Sequence, residues 1–183
     1  MTGPVSKIKR WLRLEPQYRL SVLMVCMGNI CRSPSAEGAM RARLKREGLD
    51  DLVKVDSAGT YRGHKGAPPD ARAVAHAALR GIDIAKLRAR EVEAADFERF
   101  DLLLAMDSDN LSNLRHHCPE ALQDRLGLLL AYAPPGDGLD VPDPYYGPPA
   151  GFEQVLDRIE SSLDGLVVEL RRRLALLPES SPP

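Results

Sequence analysis

Apolar and polar positions along this chain fall in blocks whose spacing switches between strand-like and helix-like. Leu20 to Cys26, "LSVLMVC", is a short, nearly continuous apolar run, the pattern of a strand covered on both faces. Ser33 and Pro34 give an N-cap and first-turn signal for a helix that runs to about Glu47 and stops at Gly48. "LVKVDSAG" predicts a second strand, which leads into a loop rich in glycine and proline from Gly59 to Pro69. Asp70 is placed to cap a helix over "ARAVAHAALRG", with Gly81 as its terminator. "FDLLLAMD" predicts a third strand, "SDNLSNLRHH" a helical segment, and "RLGLLLAY" a fourth strand. After the turn-rich stretch "APPGDGLDVPDPYYGPPAG", a last helix is expected from about Phe152 to Leu176. On it Phe152, Val155, Leu156, Ile159, Leu163, Leu166, Leu170 and Leu174 form one stripe at steps of three and four.

This alternation predicts an α/β fold: a single three-layer domain, with a four-stranded parallel sheet and helices on both faces. Ligands in such folds bind beyond the carboxyl ends of the strands, where the strand order reverses. "CMGNICRS" lies at one such end. No repeat or linker divides the chain. The expected organisation is a basic extension over 1–19, one domain over 20–177 and a flexible tail over 178–183.

Composition narrows the classes without choosing among them. A chain of 183 residues, 44% hydrophobic and 28% charged, is that of an ordinary globular protein. Twenty-five basic against 26 acidic side chains leave no overall field to draw it to nucleic acid or anionic lipid. No run reaches the ~18 apolar residues of a membrane span, and no secretory signal pattern is present. Three cysteines, an odd number, make a poor disulfide framework, so reduced thiols and a cytoplasmic location are expected. Lys7, Lys9, Arg10, Arg13 and Arg19 make the start of the chain basic, interleaved with Ile8, Trp11, Leu12 and Leu14. This stretch reads as a solvated extension that packs Trp11 on the domain, not as a firm membrane anchor.

The candidate chemistry lies between the first strand and the first helix. Cys26 and Arg32 stand five residues apart around Met27, Gly28, Asn29, Ile30 and Cys31. In that position the backbone N–H groups of the loop and first helical turn converge on one anion. The same field favours the Cys26 thiolate. The planar fork of Arg32 suits two phosphoryl oxygens at once, and the Ser33 hydroxyl can stabilise the sulfur. Gly28 and Asn29 tolerate the left-handed backbone of a tight loop. A phosphate seated there lies against a nucleophilic sulfur, the layout for a phospho-cysteine intermediate. A departing ester oxygen also needs a proton, and Asp143 in "VPDPYYG" is the candidate. The flanking prolines restrict its orientation, and Tyr145 and Tyr146 are expected to wall the site and partly desolvate the acid. The bland alternatives are a buried structural cysteine beside a surface arginine, and a plain turn at Asp143 and Pro144.

"VLMVCMGNICRSPSAEGAM", "DSAGT", "PPDARA", "FERFDLLLAMDSDNL" and "DPYYG" together resemble the low-molecular-weight protein tyrosine phosphatases, in the family's order and spacing, from about Leu20 to Arg171. The resemblance implies a four-stranded parallel sheet and hydrolysis of phosphotyrosine in two steps without metal or other cofactor. It implies Cys26 as nucleophile, Arg32 with the loop amides (Met27 to Cys31) as transition-state clamp, and Asp143 as acid and then base. Asn29 and Ser57 match positions that hold the loop in shape, Ser33 the hydroxyl on the thiolate, and Tyr145 and Tyr146 the rim of the cleft. It also implies Cys31 as a partner that traps oxidised Cys26 as a disulfide; a small buried hydrophobe is the other reading. Cys118 is read as structural. The expected partner is a phosphotyrosine protein, by analogy a bacterial tyrosine autokinase, and the expected state a monomer or weak dimer.

One position departs from the family. Gly63 stands where an aromatic usually stacks on the substrate ring, and Tyr61 or His64 can replace it only if the loop folds differently; His64 is otherwise read as a surface residue. An arsenate reductase needs two further relay cysteines where only Cys118 remains. A protein-arginine phosphatase of this family typically has threonine at the place of Ile30 and lacks the double tyrosine. A binding module without activity is expected to have lost Cys26 or Asp143. A metallophosphatase needs a cluster that the four histidines do not form by spacing.

Overall fold

A computed structural model describes residues 18–136 and 138–178. The basic start of the chain through residue 17, and the tail from residue 179, lie outside the described residues. Four parallel strands, β1 (Leu20–Cys26), β2 (Val53–Gly59), β3 (Leu102–Ala105) and β4 (Leu126–Leu128), form one sheet in the order β2-β1-β3-β4. Around it lie α1 (Arg32–Glu47), α2 (Ala71–Leu79), the short α3 (Asp96–Arg99), α4 (Ser108–His117) and α5 (Ala150–Leu176). The α/β expectation is met.

Strand β1 shows why its sequence is apolar throughout. Leu20, Val22, Met24 and Cys26 point into the core shared with α1, α2 and α5. Leu23 and Val25 point the other way, onto Phe97, Phe100, Leu111 and Leu114. A strand covered on both faces has no use for alternation. All eight residues of the α5 stripe are buried. Gly165 lets that helix close on the chain after β4: a Cβ there would meet the Tyr132 carbonyl oxygen at 2.1 Å.

Three local expectations are corrected. The fourth strand stops at Leu128, and Leu129–Tyr132 turn as a 3₁₀ segment that sends Leu129 and Leu130 into the core under α5. An unbroken apolar run does not distinguish a strand from a buried turn. Helix α1 begins at Arg32, with Cys31 in the cap position and no side-chain cap bond. The Ser33 hydroxyl predicted to cap it turns instead toward Cys26. Helix α3 was not anticipated. Asp70 and Gly48 behave as expected: Asp70 accepts from the Arg72 N–H, and Gly48 takes a left-handed φ of 69°.

The chain leaves β1 for β2 on one side and later returns to place β3 on the other, so the strand order reverses at β1. The loop 27–31 sits at the carboxyl end of that central strand, where the fold leaves its crevice. No helix among the described residues is long and apolar enough to cross a membrane.

Candidate active site

Cys26 ends β1, nearly buried, and its sulfur lies 3.0 Å from the Ser33 hydroxyl. The Asn29 N–H donates to the same sulfur at 3.3 Å. The loop between them bends at Asn29, whose φ of 54° is the only positive value at a non-glycine among the described residues. Side-chain bonds hold that bend. Asn29 Nδ2 donates to Ser33 Oγ and to Ser57 Oγ, both at 2.9 Å, and Asn29 Oδ1 accepts from the Arg90 N–H at 2.9 Å. Ser57, on β2, donates its own hydroxyl hydrogen bond to Glu37 Oε2 at 2.5 Å. The carboxyl of Glu37, almost wholly buried, is pushed up by desolvation, with the Ser57 bond and Arg41, 2.6 Å away, opposing.

Arg32 is buried in the first turn of α1 and held from β3 and the turn-rich loop. Its guanidinium pairs with Asp107, donates to the Val141 carbonyl at 3.1 Å and meets Asp143 Oδ2 at 3.0 Å. Burial works against its charge, but Cys26, Asp107 and Asp143 hold it above its ordinary value. Tyr145 N–H donates to Asp143 Oδ1 at 3.1 Å, which orients the carboxyl. The Asp143 side chain keeps 46% of its exposure, Tyr146 is almost wholly exposed, and the charged neighbour that Asp143 meets is Arg32.

A cleft of about 360 Å³ opens over this floor, lined by Cys26, Met27, Gly28, Ile30, Cys31 and Arg32, with Asp143, Tyr145 and Tyr146 on one side. Tyr61 and His64 also line it. His64 is therefore part of the cleft wall, contrary to its reading as a surface residue. Gly63 explains how: a Cβ there would strike the Tyr61 ring at 2.1 Å, so the glycine makes room for the tyrosine beside it. Tyr61 and His64 meet edge to face at 6.0 Å. The larger hollow beside Lys54 and Arg41 holds none of these groups.

Every predicted site residue thus comes to one place, with Asn29, Ser33 and Ser57 beneath the floor. Sequence reasoning missed the residues that hold them. Asp107 had one available signal, a carboxylate at the carboxyl end of the strand next to β1. Glu37 lies inside a motif already quoted but was given no role. Arg72, inside the quoted "PPDARA", was likewise given no role: it grips Asp70 with two nitrogens at 3.0 and 2.8 Å, donates to the Tyr145 carbonyl at 3.1 Å and lies over the Phe152 ring at 4.7 Å. Among the described residues no group of three or more His, Cys, Asp or Glu side chains is gathered as a metal site.

A buried thiol, an arginine anchored behind it and a carboxylate above it make an arrangement for attack on an anionic ester and protonation of its leaving oxygen. Comparison with known proteins agrees in kind. The profile of a family described as low molecular weight phosphotyrosine protein phosphatase matches residues 21–176. A low molecular weight protein-tyrosine-phosphatase of Streptomyces coelicolor is 42% identical over 84% of this chain and 94% of its own. The Bacillus subtilis enzyme YfkJ is 36% identical over 86% and 99%, respectively. Among solved structures, a protein tyrosine phosphatase of Entamoeba histolytica with Hepes in its active site superposes with a TM-score of 0.82 at 35% identity, covering 85% of this chain and 99% of that one.

Proposed function

This chain belongs to the low molecular weight phosphotyrosine protein phosphatase family, and we propose that it hydrolyses phosphotyrosine and small aryl phosphates through a phospho-cysteine on Cys26, without a metal ion. The phosphatase domain in this reading is 20–177. The observation that carries it is the meeting, at the carboxyl end of β1, of the Cys26 sulfur against the Ser33 hydroxyl and the Asn29 N–H, with an Arg32 guanidinium touching Asp143.

In the first step the Cys26 thiolate attacks phosphorus. The bond to the tyrosyl oxygen breaks, and protonated Asp143 gives its proton to that oxygen. Arg32 and the loop amides take the charge that spreads over the phosphoryl oxygens, the work a metal does in other phosphatases. Substrate phosphate competes with Asp143 for the guanidinium, so binding releases the carboxyl toward the leaving oxygen. In the second step Asp143, now ionised, takes a proton from water as it attacks phosphorus. The sulfur–phosphorus bond breaks, inorganic phosphate forms, and the Ser33 hydroxyl steadies the returning thiolate. Tyr61 and Tyr145 flank the substrate ring in place of the aromatic that Gly63 lacks. The partner is a protein bearing phosphotyrosine, in the cytoplasm, with a tyrosine autokinase the first candidate; the enzyme acts as a monomer or weak dimer, with no role in nucleic-acid binding.

Turnover of an aryl phosphate in excess chelator, wild type beside Cys26→Ser, tests this reading. The expected result is a rate that persists in chelator and vanishes with the serine. A rate that chelator abolishes, or that survives in the serine variant, contradicts it.

A further inference from the structure

The two margins of the cleft carry opposite charge. Residues 60–69, which supply Tyr61 and His64 to its wall, contain no carboxylate and carry Arg62 and Lys65. Residues 84–90 also contain none, and carry Lys86 and Arg88 besides the structural Arg90. The backbone joins these two segments: Gly66 N–H donates to the Ala89 carbonyl at 2.7 Å, and Ala89 N–H to the Ala67 carbonyl at 2.9 Å. The segment that brings Asp143, Tyr145 and Tyr146 to the cleft holds Asp140 and Asp143 and, among its described residues, no cation.

Elsewhere the arginines of this surface are often neutralised. Arg43, Arg80, Arg171, Arg172 and Arg173 each meet a carboxylate. Arg90, on the same segment as Lys86 and Arg88, is also spent, on Asp56 and Asp96. Arg62, Lys65, Lys86 and Arg88 are all exposed. Among the described residues none of the four meets a carboxylate, and Arg88 reaches only the Ala85 and Leu87 carbonyls. Of the two acids that flank this segment, Asp83 is turned to the Ala85 N–H and Glu91 makes no ion pair with any of the four among the described residues. Among the described residues the positive charge on this margin is therefore left without a neutralising carboxylate.

We propose that Arg62, Lys65, Lys86 and Arg88 form a docking margin for acidic residues flanking the phosphotyrosine, so that the substrates of this enzyme are phosphotyrosine segments rich in Asp or Glu. The proposal rests on the phosphatase reading above and adds the substrate class. Exposed charges of this kind act through many weak contacts that steer association and weaken with salt. The margin therefore acts on capture of protein segments and leaves the chemistry on a small ester alone.

The test compares kcat/KM on two phosphotyrosine peptides that differ only in carrying glutamate or serine beside the phosphotyrosine, with a small aryl phosphate as third substrate. The enzymes are wild type, Arg62→Glu with Lys65→Glu, and Lys86→Glu with Arg88→Glu. Wild type is expected to favour the acidic peptide by about tenfold at low salt, with the ratio falling toward one near ~0.5 M salt. Each double variant is expected to lose or invert that preference while turning over the aryl phosphate at the wild-type rate, which also shows that it folds. Equal rates on both peptides for wild type, or a preference that survives both variants, overturns the proposal and leaves the phosphatase intact. Absence of aryl phosphate turnover by wild type overturns the phosphatase reading, and this proposal with it.

Discussion

Asn29 shows how much a single side chain does here. Its left-handed backbone turns the phosphate loop, its N–H faces the nucleophile, and its amide ties Ser33, Ser57 and Arg90 together. Replacing it by alanine removes those bonds and adds backbone strain, an expected loss of roughly 2–4 kcal/mol of stability. Asn29→Gly keeps the permitted φ and loses only the bonds, so it is expected to unfold later in denaturant than Asn29→Ala; the reverse order speaks against strain at this turn. Cys31, two residues on, is governed by burial, which with Asp70, Cys26 and Asp143 nearby pushes its thiol up to about 12. The disulfide with Cys26 that the family resemblance implied is a proposal with a definite pH dependence. At neutral pH Cys31 is protonated and attacks oxidised Cys26 slowly, because the thiolate is the reactive form. The rate of disulfide formation after peroxide treatment is expected to rise about tenfold per pH unit through the alkaline range. A rate already at its plateau near neutral pH contradicts that cause. Cys26 and Arg32 were singled out by residue type and short spacing, and Asp143 by its place between two prolines beside a double tyrosine. Glu37, Asp107 and Arg72 were not, since a carboxylate or guanidinium shows its partner only once distant segments are brought together.

Helices and loops position these residues, and α2 illustrates it. Arg72 leaves the first turn of that helix to hold the Tyr145 carbonyl, while Tyr145 N–H orients the Asp143 carboxyl. In the proposed reaction Arg72 is thus a positioning residue for the acid, acting through the backbone of Tyr145. Arg72→Gln is expected to lower kcat/KM on phenyl phosphate by roughly tenfold, and to cost far less in kcat/KM on a dinitrophenyl ester, whose leaving group departs without a proton. An equal loss on both esters assigns Arg72 a merely structural part. The outer face of α2 adds Arg80, which joins Glu153, Asp157 and Glu160 of α5, while His76 meets Glu153 at 2.5 Å. The helix that braces the acid loop is in this way itself braced on the longest helix of the fold. Element types were readable from period and caps, with Asp70 and Gly48 as clear punctuation. The end of β4 was not, because burial of Leu129 and Leu130 looks alike in strand and turn. The helix start at Arg32 was misplaced for a chemical reason: the Ser33 hydroxyl serves the sulfur instead of the helix N-terminus.

The whole sheet explains why the site lies where it does. Reversal of strand order at β1 leaves a crevice beyond Cys26, and the segments after β2, β3 and β4 each supply one part of its surroundings. Tyr61 and His64 follow β2, Asp107 follows β3, and Asp143 arrives after β4. The same layout brings segments of unequal charge, one after β2 and one after β4, to the lining of a single cleft. Fold class was visible in the alternation of blocks, but the meeting of these segments was not, because it depends on which loops the strand order brings together. Phosphoryl transfer to sulfur is tested most directly with Asp143→Ala, which lacks the base for the second step, mixed with an activated aryl phosphate that needs no acid in the first. Quenching in acid and mass analysis of the peptide that carries Cys26 are expected to show one added phosphoryl group on that cysteine, with a burst of released phenol matching the enzyme concentration. Linear phenol release with an unmodified Cys26 peptide contradicts the covalent intermediate and points to direct attack by water.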